Sequence, residues 1–281
     1  MAVTVKIITD SSASIPPSVV EELGLTIIPS LIRFGDEVYR DGVDLTTEQF
    51  YERLTTDKTH PTTSVPTPQS FVDAYEKLAE EADEVAVITI SHKLSAVGDV
   101  ARQAMDLAKK RPRVEIIDTT WALMSEGLIV ITAARAAKEG ASLDEVLEIA
   151  RRNIPRTDLR MAFDTLKYLE RGGRIGKAQA LLGSMLKINP ILGLKDGEIY
   201  PVGREHSRSK AIENLYNFVN SFSRIEEMAI GDGTTPEEAD GLAERLNDKF
   251  PAERIFRFKV TASVGAHVGP HVLAVAILGD K

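Results

Sequence analysis

Residues 84–90 read EVAVITI, a run in which valine, alanine and isoleucine follow one another with a single threonine between them. No polar alternation is left for a solvent face. A strand of this kind is buried on both sides, the signature of a parallel sheet covered by helices above and below. The residues after it, SHKLSAVGDVARQAMDLAKK, start hydroxyl-rich and become helical. Two other runs repeat the unit: VKIITD (5–10), ending in Asp-Ser-Ser, and VEIID (114–118), ending in Asp-Thr-Thr. Strand, helix, strand, helix is the grammar of a doubly wound α/β sheet.

The connecting segments fit that frame. ASIPPSVVEELG reads as a helix with Ser14 near its cap, prolines in the first turn and Gly24 as its stop. LTIIPSLIRFG (25–35) reads as a second strand, broken by Pro29. A helix begins at Thr46 or Thr47 (TTEQFYERLTT), another is QSFVDAYEKLAEEA, and two more cover about 122–138 and 143–152. Between the first pair lies TTSVPTP (62–68), which two prolines force to be extended and non-helical.

From about residue 159 the grammar changes. LRMAFDT, the short helix LKYLERGG, a helix AQALLGSMLK and the hairpin INPILGLKDGEIYPVG follow, with an Asp-Gly turn at 196–197. A helix over 208–222, the strand EEMAIGD, a helix over 236–248 and strands at 254–260 and 271–278 complete the chain. The expected organisation is α/β throughout. Residues 1–158 form a three-layer α/β/α N-terminal domain with a parallel sheet, and residues 159–281 a two-layer α/β domain with a mixed sheet.

Composition narrows function. The 281 residues carry a net charge of −8, which argues against a nucleic-acid module and against adsorption to anionic lipid. The absence of cysteine excludes disulfides, thiolate zinc sites and thiol catalysis. MAVTVKIITD lacks the long apolar core of a signal peptide, and no run approaches a membrane span. The expected location is cytoplasmic.

Ligands of open parallel sheets bind beyond the carboxyl ends of the strands. There the chain places Asp10-Ser11-Ser12, Ser91 through Ser95 and Asp118-Thr119-Thr120, with TTSVPTP before a helix. Ser91 and Ser95 bracket a helix entry, where free N–H groups favour an anion. Helix capping accounts for any one of these segments, but less well for all on one rim. Cations come from the second half: Arg171 and Arg174 in YLERGGRIGK, and Arg204, Arg208 and Lys210 in GREHSRSK. GAHVGPH puts His267 in a Gly/Pro loop before the last strand, and with His271 it makes a poor metal pair. No G-x-S-x-G is present, and GGRIGKA departs from a P-loop at Arg171 and Ala178. Neutral donors, a few cations and ample apolar residues are chemistry for holding an anion, not for breaking bonds.

These segments together resemble the DegV family of fatty-acid-binding proteins. The resemblance rests on ITDSSASIP (8–16), TSVPTP (63–68), ISHKLSA (90–96), IDTTWALMSEGL (117–128), YLERGGRI (168–175), INPIL (188–192) with DGEIYPVG, and HVGP (267–270). It implies a DegV-like two-domain fold with one long-chain fatty acid between the domains, its tail in an apolar tunnel. Thr63, Ser64 and Ser95 would donate to the carboxylate, and His267 would meet the head group directly or through them. Arg171, Arg174 and Ser91 would border the head group or face a partner. That partner would be the ATP-binding subunit of a fatty acid kinase, making acyl phosphate for phospholipid synthesis. The chain itself would then be a carrier and not an enzyme, with no cofactor and no metal.

The chain departs from the family pattern at Ala96 and Val97, where Gly-Thr is usual, and at Ser125, His206 and His271. A reading of a different class remains beside the carrier: a Mg-dependent phosphotransferase or hydrolase using Asp10, Ser11 and Asp118. A third is an interaction module whose hydroxyls are only caps.

Overall fold

The computed structural model describes residues 4–182 and 188–281. In chain order the first part contains β1 (Val5–Asp10), α1 (Pro17–Leu23), β2 (Thr26–Ile28), β3 (Leu31–Phe34), β4 (Glu37–Arg40) and α2 (Thr47–Thr56). There follow β5 (Thr62–Ser64), α3 (Pro68–Leu78), β6 (Glu84–Thr89), α4 (Val97–Leu107), β7 (Arg113–Asp118), α5 (Met124–Lys138) and α6 (Leu143–Asn153). Strands β2, β1, β6 and β7 lie side by side in that order, all parallel. The run that suggested this sheet is its interior: Val85, Ala86, Val87 and Ile88 of β6 are wholly buried. Helices α3 and α4 pack together on this sheet, and α5 and α6 form the other helical pair, giving three layers.

The second sheet begins at β8 (Thr157–Ala162) and continues through α7 (Lys167–Arg171), β9 (Asn189–Lys195), β10 (Glu198–Glu205) and α8 (Arg208–Asn220). It closes with β11 (Arg224–Asp232), α9 (Pro236–Arg245), β12 (Phe256–Lys259), α10 (Ala262–Val268) and β13 (Leu273–Asp280). Its order is β10-β9-β8-β13-β11-β12, antiparallel except for the β11–β12 pair, so it is mixed. At the β9–β10 turn Asp196 and Gly197 both have positive φ, the geometry of the Asp-Gly hairpin. Helices α8 and α9 cover one face of the sheet, and α5 meets the other. Because α5 touches both sheets, it is buried from Met124 to Ile131 without a break. Among the described residues no helix is long and apolar enough to cross a membrane.

Four expectations need correction. LTIIPSLIRFG is not one interrupted strand: β2 joins the parallel sheet, while β3 leaves it to form a three-stranded antiparallel sheet, β4-β3-β5. Pro29 has no N–H for a ladder, and the chain changes sheets there. Ser14 does not cap α1. It sits in left-handed conformation (φ 52°), its hydroxyl 3.1 Å from that of Thr261, and Pro16 opens the helix instead. The segment around His267 is not a loop but α10. Gly269 and Pro270 end that helix without preventing it, and Asp41 accepts from its first N–H groups, at 3.2 Å from Ala262 and 3.0 Å from Ser263. Finally, the expected helix AQALLGSMLK begins within a 3-10 turn over Gly176–Leu181, and its residues 183–187 lie outside the described residues.

Candidate functional site

A narrow slot runs between the two sheets. About 750 Å³ of space unfilled by atoms lies inside it, open solvent at the mouth included. Ile90, Leu123, Leu159, Met161, Leu194 and Ile199 contribute to its apolar walls. Thr63, Ser64, Ser95, Arg174 and His267 all line the same slot.

Each is placed by a different piece of backbone. The prolines of TTSVPTP hold β5 extended, and its pairing to β3 (Thr63 with Ile32, Ser64 with Leu31) fixes which hydroxyl faces which way. Ser95 stands one residue before the uncapped start of α4, where Ala96 supplies no side-chain oxygen for the free N–H groups. Its own N–H donates to Ser91 at 3.0 Å. Among the described residues the hydroxyls of Ser64 and Ser95 have no hydrogen-bond partner.

His267 Nε2 lies 2.8 Å from Thr63 Oγ1, and its Nδ1 is buried without a partner among the described residues. Burial above all, then the Arg174 charge and His60, pull its pKa down to about 4, so the ring is neutral at pH 7. A buried N–H lacking an acceptor costs more than an unpaired ring lone pair, which puts the proton on Nε2. His267 then donates to Thr63, and the Thr63 O–H is free to point at a ligand. Arg174 reaches across the mouth: Nε donates to the Leu94 carbonyl at 3.2 Å and Nη1 to that of Gly172 at 2.8 Å.

Two expected border residues do not line the slot. Ser91 is wholly buried and donates to the Gly197 carbonyl at 2.9 Å, pinning the β9–β10 turn. Arg171 sits exposed at the end of α7. The set Asp10, Ser11 and Asp118 is not assembled either. β6 lies between the strands of the two aspartates, which places them about 10 Å apart at the usual strand spacing. Asp118 is taken up by His92 Nδ1, by the His92 N–H at 3.2 Å and by the Thr120 N–H at 2.7 Å. Among the described residues no group of three histidine or acidic side chains stands ready for a metal ion.

Asp10 and Ser12, which the sequence places at a ligand rim, do line the slot, and beside them stand two hydroxyls that sequence reasoning missed, Ser30 and Ser263. That reasoning also missed Glu126, wholly buried behind them, which accepts from Thr9 Oγ1 at 3.2 Å and Ser12 Oγ at 3.3 Å. Ser12 Oγ also donates to Asp10, whose other oxygen accepts from the Ile90 N–H at 3.1 Å. Burial pushes both carboxyls up, and the Asp10 charge adds to the rise at Glu126. The available signal was a lone acid inside the apolar run LMSEGLIVI.

A family model described as an uncharacterised protein of the DegV family matches residues 4–280. The chain belongs to the DegV family. A DegV domain-containing protein of Streptomyces coelicolor is 35% identical over 279 residues, covering 97% of this chain and 98% of that one. Among solved structures, a DegV family protein of Thermus thermophilus, described by its fatty acid binding, superposes with a TM-score of 0.88 at 29% identity, covering 98% of this chain and 99% of that one. DegV of Bacillus subtilis, described as a fatty acid binding protein, gives a TM-score of 0.88 at 27% identity, with 98% and 99% covered. The α/β architecture of this DegV chain is therefore that of its relatives over its whole length.

Proposed function

We propose that this chain carries one long-chain fatty acid between two lobes, residues 1–158 and 159–281, and presents it to a separate fatty acid kinase. The observation that carries this reading is the convergence of Thr63, Ser64, Ser95, His267 and Arg174 on one slot with apolar walls. The fatty-acid binding of the Thermus and Bacillus relatives supports it. Affinity comes from the tail, since each buried methylene contributes about 0.8 kcal/mol before the costs of association. The hydroxyls orient the carboxylate and replace its water. The start of α4 adds unpaired N–H groups beside Ser95.

With His267 neutral and Arg174 already shared between two carbonyls, the head group meets mostly uncharged donors. Such a carboxylate stays nucleophilic toward a phosphoryl donor held by a partner, where a buried ion pair would restrain it. Arg171, exposed at the end of α7, suits contact with that partner. The chain then acts in phospholipid metabolism as a cytoplasmic carrier with no chemistry of its own.

The test is direct. Protein purified from a bacterial host is expected to carry a fatty acid, seen by native mass spectrometry. Empty protein that takes up neither palmitate nor oleate overturns the reading. Thr63→Ala with Ser95→Ala is expected to weaken palmitate binding about 100-fold, with the fold intact, as two hydrogen bonds to a charged group are lost. Unchanged affinity in that variant removes both residues from the head-group role. Acyl phosphate is expected only when a kinase and ATP are supplied together with the loaded chain.

A further inference from the structure

The slot is more polar than a plain hydrocarbon chain requires. Beyond the head-group set, Ser30 and Ser263 line it, both 7% exposed, next to Asp10 and Ser12. Asp10 and Ser12 are satisfied within the protein. The Ser30 hydroxyl is not: its residue uses its N–H, donated to Ser11 Oγ at 3.1 Å, and its carbonyl, which accepts from Asp41, while among the described residues its side chain has no partner. Ser263 Oγ has long contacts of 3.4 Å to the hydroxyls of Ser11 and Thr261, with the Asp41 carboxylate behind it. Ser11 thus joins Ser30 and Ser263 into one patch.

The backbone sets the depth of this patch. Ser263 and His267 lie four residues apart on α10, on one face and about 6 Å apart along the axis. Ser30 directly precedes Leu31, the residue paired with Ser64. The patch therefore sits one helical turn from the head-group hydroxyls, level with the first few carbons of an acyl chain whose carboxylate meets Thr63.

A methylene chain at that level strips the Ser30 hydroxyl of water and offers it nothing, a penalty larger than the gain from an ordinary hydrogen bond, and leaves Ser263 with only its protein partners. We infer that the preferred ligand is a fatty acid bearing a hydroxyl within its first few carbons, hydrogen-bonded by Ser30 and Ser263. This inference rests on the fatty-acid reading of the same slot and adds the class of acyl chain. The chain hydroxyl donates to Ser30 Oγ or accepts from it, and either direction satisfies a group that is otherwise unpaired. A site that hydrogen-bonds a ligand hydroxyl also discriminates more sharply than an apolar pocket does.

The experiment is a competition on lipid-stripped protein between palmitate, each enantiomer of 3-hydroxypalmitate and 16-hydroxypalmitate. One 3-hydroxy enantiomer is expected to bind about tenfold tighter than palmitate, and 16-hydroxypalmitate no tighter than palmitate. Ser30→Ala is expected to narrow the tenfold gap, and Ser30→Ala with Ser263→Ala to close it. Both changes leave the main-chain hydrogen bonds of residues 30 and 263 in place. Palmitate binding as tightly as both 3-hydroxy enantiomers overturns the inference, as does a gap that survives in the double variant. Tightest binding of 16-hydroxypalmitate also overturns it, because the polar patch would then serve the far end of the chain. Binding of palmitate without the gap leaves the carrier reading standing, whereas binding of none of the four acids overturns both.

Discussion

Gly172→Ala is expected to weaken palmitate binding about 100-fold, although residue 172 does not line the slot. Its backbone (φ −75°, ψ −8°) is open to any residue, so alanine brings no conformational strain. The obstacle is space. A methyl group at this position would overlap His267 Nδ1 and stand 3.0 Å from Cε1 and 3.1 Å from Cγ. α7 and α10 also meet closely at Gly269, whose missing side chain leaves room for the Tyr168 ring, so the helices are held together and the imidazole can move only into the slot. Moving the ring breaks its 2.8 Å bond to Thr63 and releases the Thr63 hydroxyl from its direction toward the ligand. Overpacking of this kind also lowers stability, by about 1–3 kcal/mol. The role of His267 separates from mere overpacking in a double-variant cycle. If the loss acts through His267, Gly172→Ala adds little to His267→Ala. Gly203→Ala, where a methyl group meets nothing within 4 Å, is the control and is expected to bind normally. Gly172→Ala protein that binds palmitate within about threefold of the parent would show that the Thr63–His267 bond does not organise the head group.

What the sequence discloses here, and what it hides, follows the range of the interactions. EVAVITI and VEIID declare a parallel sheet because burial on both faces is written into each residue of a strand. The small sheet β4-β3-β5 is nearly silent. β5 has three residues, and β4 is the mostly exposed Glu37–Arg40, so neither carries the alternation that marks a half-buried strand. The head-group set assembles through contacts no spacing rule reaches, since Thr63 and His267 are 204 positions apart. Strand ends and helix entries marked the segments of Thr63, Ser64 and Ser95 as a rim, but their roles at the head group, and that of His267, were legible only through resemblance to a family. His267 looked like a loop residue because Gly269 and Pro270 are strong breakers, yet breakers placed after a helix stop it rather than forbid it. Ser91 shows the opposite error. Its place at a strand end fits a ligand rim, but its hydroxyl is spent on the Gly197 carbonyl. Ser30 was invisible for a related reason: beside Pro29 it reads as a turn residue, and only tertiary packing turns it toward the slot.

Glu126→Gln is expected to make the protein more stable at pH 8 than the parent, by an amount that vanishes near pH 4. Glu126 is wholly buried, and desolvation first, then the charge of Asp10, hold its pKa well above the ordinary 4.5. In the unfolded chain the carboxyl ionises through that ordinary value, while in the folded chain it keeps its proton. Between the two pKa values the folded state binds more protons than the unfolded one, so stability falls as pH rises. The fall begins near the unfolded value and ends at the raised folded value, at up to about 1.4 kcal/mol per pH unit for one proton. Groups with lowered pKa, such as Glu226 and Asp280 beside Arg156, act in the other direction and at lower pH. They are the same in both proteins and cancel in the difference. Glutamine keeps an oxygen to accept from Thr9 or Ser12 and gains an N–H that can donate to Asp10, so the burial stays satisfied without a titrating proton. Asp10, whose pKa is raised by burial, keeps a neutral hydrogen-bond donor where the Glu126 carboxyl stood. Urea midpoints of both proteins at half-unit steps from pH 4 to 8 give the difference directly. A gap that widens steadily above about pH 4.5 is the expected outcome. Parallel profiles would mean that Glu126 ionises in the folded protein as readily as in the unfolded one, and that burial beside Asp10 does not hold its proton.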